Sequence, residues 1–160
     1  MDIRPITTAD RPGLVALIRS DTTFRADEVD VAIELIDAAI ARTGDYWIWV
    51  AVRDDLSVLT DGLAGYLCCG PTPMTESTYD LYWIVTHAAA RGRGVARALI
   101  LTMEQALRER GGTAVRVETS EQDSYGAARR LYAGLDYPEV ARLSDFYAPG
   151  DGLVLYYKKL

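Results

Sequence analysis

The run Ile84-Val85-Thr86-His87-Ala88-Ala89-Ala90-Arg91-Gly92-Arg93-Gly94-Val95-Ala96-Arg97 decides how the rest of the chain is read. It starts with β-branched residues and passes through small residues and glycines. From Val95 the apolar positions Val95, Leu99, Ile100, Met103 and Leu107 follow the spacing of one helix face. A strand therefore gives way to a tight loop that opens directly into a helix. The first N–H groups of a helix have no acceptor within it, and the dipole adds partial positive charge at the same end, so the junction suits an anion. Glycines at 92 and 94 let the backbone approach a phosphate, small Ala96 avoids a clash, and Arg91, Arg93 and Arg97 add side-chain charge. On these residues alone an ordinary turn ahead of a helix remains open. A dinucleotide loop fits poorly, because Arg97 stands where the third glycine of Gly-x-Gly-x-x-Gly belongs and the strand ends several residues too early.

Outward from this segment the hydrophobic period changes several times. Ile3 to Ile6 reads as a short strand, and Thr8 as the N-cap of a helix across Leu14, Val15 and Ile18. A second helix is expected from about Ala26, with Asp27, Glu28 and Asp30 at its positive end, a stripe of Val29, Ile33, Ile36 and Ile40, and a stop at Gly44. Tyr46 to Val52 and Leu63 to Cys69 read as paired strands, with Asp61-Gly62 as a turn between them. Pro71 and Pro73 break the second of these, and a third strand runs from about Tyr79 to Thr86. After the central helix, which Gly111-Gly112 stops, come a strand at Val115 to Glu118, a helical face of Ala127, Ala128, Leu131 and Leu135, and two strands flanking Pro149-Gly150. The order β-α-α-β-β-β-α-β-α-β-β mixes hairpins with β-α-β crossovers. It predicts an α/β (α+β) fold, with a mixed, mostly antiparallel sheet of six to seven strands flanked by about four helices, in a single domain over residues 1–160.

Composition narrows the chemistry. A 160-residue chain that is 49% hydrophobic and 25% charged is long enough to bury a core without a disulfide scaffold. Its net charge of -6 argues against nucleic acid and anionic membranes as partners. Lysine occurs only as Lys158 and Lys159, so no P-loop or Schiff-base lysine is expected, and the single histidine, His87, leaves no pair for a zinc site; no metal is expected. Cys68 and Cys69 adjoin in a strand, point to opposite faces, and read as reduced core thiols. Met1-Asp2-Ile3-Arg4-Pro5 lacks a signal-like apolar stretch and no run approaches the length of a membrane span, so the expected location is cytoplasmic.

Arg91-Gly92-Arg93-Gly94-Val95-Ala96, after a third strand, resembles the Gln/Arg-x-x-Gly-x-Gly/Ala signature of the GNAT acyltransferases. Ala128-Arg129-Arg130-Leu131-Tyr132 followed by Leu135-Asp136-Tyr137 is similar to the family's Ala-x-x-Leu-Tyr-x-x-x-Gly-Phe segment, and the likeness extends over essentially the whole chain. The resemblance implies that acetyl-CoA is the cosubstrate and that residues 91–97 cradle its pyrophosphate. It also implies that Ile84, Val85 and Thr86 offer backbone groups to the pantetheine arm and thioester, and that Tyr132 donates a proton to the departing sulfur. Asp80 and Glu118 match positions that draw a proton from the amine in different members; as two carboxylates near one cleft, they are expected to raise each other's pKa. Three positions depart from the pattern. Tyr125 stands where many members carry an asparagine that touches the cofactor, Asp136 replaces a glycine, and Ala88 a proline. His87 is expected at the surface without a catalytic role.

The acceptor groove implied by the resemblance draws in Asp27, Glu28, Glu76, Asp145, Phe146, Tyr147 and Asp151. An acidic and aromatic lining suits a small-molecule amine or amino acid, although the same carboxylates are explained as helix-start and turn residues. A peptide or protein amine is the alternative acceptor. A non-catalytic CoA-binding sensor and a nucleotide-dependent oxidoreductase are the competing functions. The resemblance also admits a homodimer.

Overall fold

A crossover between two hairpin-rich halves builds one sheet. The computed structural model describes residues 1–56 and 59–160. In chain order the elements are β1 (Asp2–Pro5), α1 (Arg11–Ser20), α2 (Ala26–Ala41), β2 (Trp47–Val52), β3 (Leu63–Pro71), β4 (Thr78–Thr86), α3 (Val95–Glu109), β5 (Ala114–Ser120), α4 (Gly126–Ala133), β6 (Glu139–Ala148) and β7 (Asp151–Lys159). The seven strands lie in the order β1-β2-β3-β4-β5-β7-β6. All neighbours are antiparallel except β4 and β5, which α3 connects as a crossover. The single mixed-sheet domain expected from the sequence is the one formed.

Helices cover both faces of the sheet. Leu14, Leu17 and Ile18 of α1 and Ile36 of α2 pack on Ile48, Val50 and Tyr66. On the other face Leu99, Ile100, Met103 and Leu107 of α3 pack against Leu67, Val115 and Val154. Cys68 and Cys69 are buried, free, and fall in different cores, as alternation along a strand requires. Burial pushes the Cys68 thiol up to about 12, which removes it from thiolate chemistry. Buried Glu104 of α3 accepts from the Tyr137 hydroxyl and the Lys158 ammonium, each at 2.8 Å, and so ties α3 to the segment after α4 and to β7.

Three local expectations shift. Thr8 opens a 3-10 turn (Thr8–Asp10) rather than capping α1, because the Asp10 carboxylate accepts from the Thr7 amide and hydroxyl and holds the chain in that turn. Helix α2 stops at Ala41, ahead of Gly44, where Arg42 takes the left-handed conformation at φ 55°. On α2 it is Ala32 and Ile36 that are fully buried, while Ile33 is only partly covered. Among the described residues no helix is long and apolar enough to cross a membrane.

One feature of the sheet positions the site. The parallel ladder of β4 and β5 runs only from Thr78 opposite Ala114 to Leu81 opposite Val117. Beyond it the remainder of β4 pairs with β3 alone, and Glu118 to Ser120 pair with β7 alone. Tyr82 is an extra residue in β4, since Cys68 faces Trp83 and Cys69 faces Leu81. Such a bulge bends its strand, and the two strands part at this point.

Candidate active site

The gap between the parted strands is the floor of a cleft of about 860 Å³. It reaches from the start of α3, past α4, to the loop between α1 and α2. At its first end Gly94 caps α3 at φ 78°, and Gly92 sits at φ 71°. A side chain built at either glycine would meet no heavy atom within 4 Å, so the backbone stands open to the cleft. The Ala98 amide is the first to bond back within the helix, to the Gly94 carbonyl at 3.0 Å, which leaves the amides of Val95, Ala96 and Arg97 without a partner inside α3. Arg91 is held by Asp21 at 2.9 Å and Arg97 by the Gly134 carbonyl at 3.1 Å, and both line the cleft. The Arg93 side chain does not. Its Nε donates to the Ala89 carbonyl at 3.3 Å, outside the lining. Open glycines, free amides and two anchored guanidinium groups are what a diphosphate needs, so the residues present fit coenzyme A.

Ile84, Val85 and Thr86 form one wall. The His87 amide bonds to the Ala64 carbonyl, and polar groups alternate sides along an antiparallel strand. The backbone groups of Thr86 and Ile84 therefore face the gap, and those of Val85 face β3. His87 itself is half-buried rather than at the surface. Its Nδ1 accepts from the Ala89 amide at 3.2 Å and caps a short 3-10 turn.

Tyr132 of α4 lines the cleft centre at only 3% exposure, packed against the rings of Tyr137 and Tyr156. Burial, with a smaller push from Tyr156, moves its phenol above the ordinary value of 10, so it is protonated at neutral pH. Its hydroxyl has no hydrogen-bond partner among the described residues. Asp80 is 4% exposed and both its oxygens are taken by Arg116, at 2.6 and 3.1 Å. The same guanidinium lies 3.5 Å from Glu118, which is half-open to solvent. The two carboxylates expected to repel one another are instead separated by a cation that the sequence reading did not single out.

At the acceptor end Glu28, Tyr147 and Asp151 line the cleft, together with Phe24 and Trp83, which meet edge to face at 5.1 Å. The Tyr125 hydroxyl reaches Glu28 at 3.5 Å, and burial followed by the Glu28 charge pushes it up to about 12. Asp27, Glu76, Asp145 and Phe146 lie outside the lining. Asp27 pairs with Arg25, and Asp145 accepts the Gly150 amide. Among the described residues no three acidic, histidine or cysteine side chains converge to hold a metal ion.

The profile of the acetyltransferase (GNAT) family matches residues 13–137. The chain belongs to this family. A GNAT-family protein from Desulfovibrio desulfuricans is 33% identical, with a TM-score of 0.88 over 99% of this chain and 98% of that one. The ribosomal-protein-alanine N-acetyltransferase from Brucella melitensis, 20% identical, shares the fold with a TM-score of 0.77 over 100% of both chains. So does an aminoglycoside 6'-N-acetyltransferase solved with coenzyme A, 16% identical, with a TM-score of 0.76 over 99% and 97% of the two chains. Comparison with curated proteins finds no match. The family resemblance read from Arg91–Ala96 and Ala128–Tyr137 therefore holds, and as a GNAT protein the chain is an acyltransferase acting with acetyl-CoA.

Proposed function

We propose that this enzyme acetylates the primary amine of a small molecule or amino acid, by direct attack within a ternary complex. The observation that carries this reading is the contact of Tyr125 with Glu28, which joins the loop before α4 to α2 beside an acidic, aromatic end of the cleft. A mouth bridged in this way suits a compact acceptor better than an extended peptide.

The amides of Val95, Ala96 and Arg97, with Gly92, Gly94, Arg91 and Arg97 around them, would hold the diphosphate. Acetyl-CoA supplies the thioester. Amides of Ile84 and Thr86 donate to the pantetheine arm and to the carbonyl oxygen as negative charge gathers on it. Glu118, solvent-reachable and bound only loosely to Arg116, takes a proton from the entering ammonium through water. The neutral nitrogen then bonds to the carbonyl carbon and the carbon–sulfur bond breaks. Tyr132 gives its phenolic proton to the leaving sulfur and recovers one from the new amide nitrogen. The products are the amide, the free thiol of coenzyme A, and one proton released through Glu118. A phenol near or above 10 is a weaker acid than a thiol near about 8.5, so this transfer is concerted with departure of the sulfur rather than a separate step.

Release of free thiol on mixing the protein, acetyl-CoA and a panel of small amines tests the reading. Thiol release that depends on the amine supports it. Tight coenzyme A binding with no release across the panel would favour a sensor, and release only with peptides would move the acceptor class.

A further inference from the structure

Tyr82 is the extra residue of the β4 bulge, and three features of the chain fix its ring. The first is the bulge itself, which sets Trp83 opposite Cys68 and gives Tyr82 no partner of its own in β3. Bulges beside active sites re-aim a side chain. The second is Gly70 of β3. A Cβ built there would meet the Tyr82 ring at 3.1 Å and the Asp45 carbonyl oxygen at 2.5 Å, so the ring rests on bare backbone that a larger residue would deny it. The third is Tyr46, whose ring meets that of Tyr82 edge to face, at 5.6 Å and 71°. Held in this way, Tyr82 lines the cleft and stays 37% exposed, although Asp80, Leu81 and Val85 of the same strand are buried.

The register shows which part of the cleft the ring serves. Gly70 pairs with Asp80, so the ring resting on it lies on the face that carries Asp80, Arg116 and Glu118. The last rung of the parallel ladder is Leu81 opposite Val117, and the next would be Tyr82 opposite Glu118. There the strands have parted, and these two residues stand as the first pair on either side of the gap. Glu118 is the group assigned above to the proton of the entering amine. Burial, then the Asp80 charge, pushes the Tyr82 phenol up to about 12, so it is neutral at pH 7 and is not a second base. What it offers the cleft is the face of an aromatic ring. The guanidinium beside it, that of Arg116, is taken by both oxygens of Asp80 and also meets Glu118 at 3.5 Å, and two carboxylates around one cation leave the group negative.

We propose that the Tyr82 ring receives the acceptor as an ammonium ion, through a cation–π contact, and presents its nitrogen to Glu118 across the gap. Tyr82 thereby determines specificity, favouring a charged amine over a neutral acceptor of the same shape. This rests on the acetyltransferase reading and adds to it what draws the charged form of the amine to the place where it loses its proton. Once that proton has passed through water to Glu118, the ring no longer holds the neutral nitrogen, which is free to bond to the thioester carbon.

The experiment is calorimetry at pH 7 on the complex of the full chain with coenzyme A, titrated with pentylamine and with pentanol. The two share a carbon chain, and only the amine is charged at this pH. The unaltered protein should prefer the amine. Tyr82→Leu keeps apolar bulk without the π face and should lower that preference by about three- to tenfold, while Tyr82→Phe keeps the face and should retain most of it. Coenzyme A should bind both variants as it binds the parent, whereas a general loosening of the cleft would weaken it. Absence of any preference in the unaltered protein would overturn the proposal and needs no variant to interpret. So would a leucine variant with the parent's preference, or one that has lost coenzyme A. A phenylalanine variant that loses as much as the leucine variant would overturn it too, because the effect would then belong to the hydroxyl. Failure of the acetyltransferase reading shows elsewhere, as absence of thiol release from acetyl-CoA with every amine.

Discussion

Asp80 sits directly opposite Arg116 in the short parallel ladder of β4 and β5, and its carboxylate takes the Nε and one terminal nitrogen of that guanidinium at 2.6 and 3.1 Å. The pair lies one residue before the last rung, where the strands part. It closes the apex of the cleft and engages both Asp80 oxygens with a cation, which disfavours Asp80 as the group that collects a proton. We propose that Asp80 serves as a positioning residue: it holds Arg116, which in turn lies 3.5 Å from Glu118.

Removing one member of this pair should not be equivalent to removing the other. Arg116→Met strands a buried anion and is expected to lower stability by about 2–3 kcal/mol. Asp80→Asn leaves an amide that still accepts from the arginine and should cost clearly less. Urea unfolding midpoints check this, and equal losses for the two variants would contradict the role given to Asp80.

Chemistry should divide between Glu118 and Tyr132 in ways that pH separates. Glu118→Gln is expected to lower kcat/KM by about a hundredfold at neutral pH. The loss should shrink as pH rises, because solvent then supplies the amine in neutral form. Tyr132→Phe should lower kcat by about a hundredfold with the affinity for coenzyme A unchanged. A phenylalanine variant that turns over normally would remove Tyr132 from the reaction.

Asp10 supplies a pH dependence of the fold. Its carboxyl is held at about 2 rather than 3.8, chiefly by hydrogen bonds from Arg4, against the opposing effect of burial. As pH falls, the unfolded chain takes up a proton at Asp10 before the folded chain does. The stabilisation is therefore complete above about pH 4 and is lost as pH drops towards about 2, and its size is about 2 kcal/mol. Asp10→Asn should be less stable than the parent at neutral pH, and the gap should close across that acid window. A gap that stays constant would mean that Arg4 and Asp10 contribute through shape rather than charge.

The legible parts of the chain are those in which one residue type answers a local backbone demand. Gly92 and Gly94 both occupy positive φ, and the loop they mark lies where the motif puts it. Val95, Leu99, Ile100, Met103 and Leu107, the stripe read from the spacing, are all buried along one face of α3. What escaped the sequence depends on partners far along the chain. Arg116 meets Asp80 across 36 positions, and their pairing follows from the register of two strands that only the crossover brings together. The Tyr82 bulge likewise exists only relative to β3. Helix α2 ends ahead of the stop that Gly44 predicts because Arg42 accepts the left-handed turn. In the motif Arg93 is equivalent to Arg91 and Arg97, but Arg91 has Asp21 and Arg97 has Gly134 to hold it at the cleft, while Arg93 bonds within its own loop.

In the proposed reaction, free amides at the start of α3 bind the diphosphate of coenzyme A. Calorimetry of coenzyme A with the parent protein, Gly94→Ala and Gly94→Glu measures this binding, since the alanine variant carries the backbone strain of φ 78° without the charge. The expected result is tight binding by the parent, a modest loss in the alanine variant, and a loss of at least about a hundredfold in the folded glutamate variant, where a carboxylate fills the anion site. A folded Gly94→Glu protein that binds coenzyme A as tightly as the parent would contradict binding of the diphosphate at these amides.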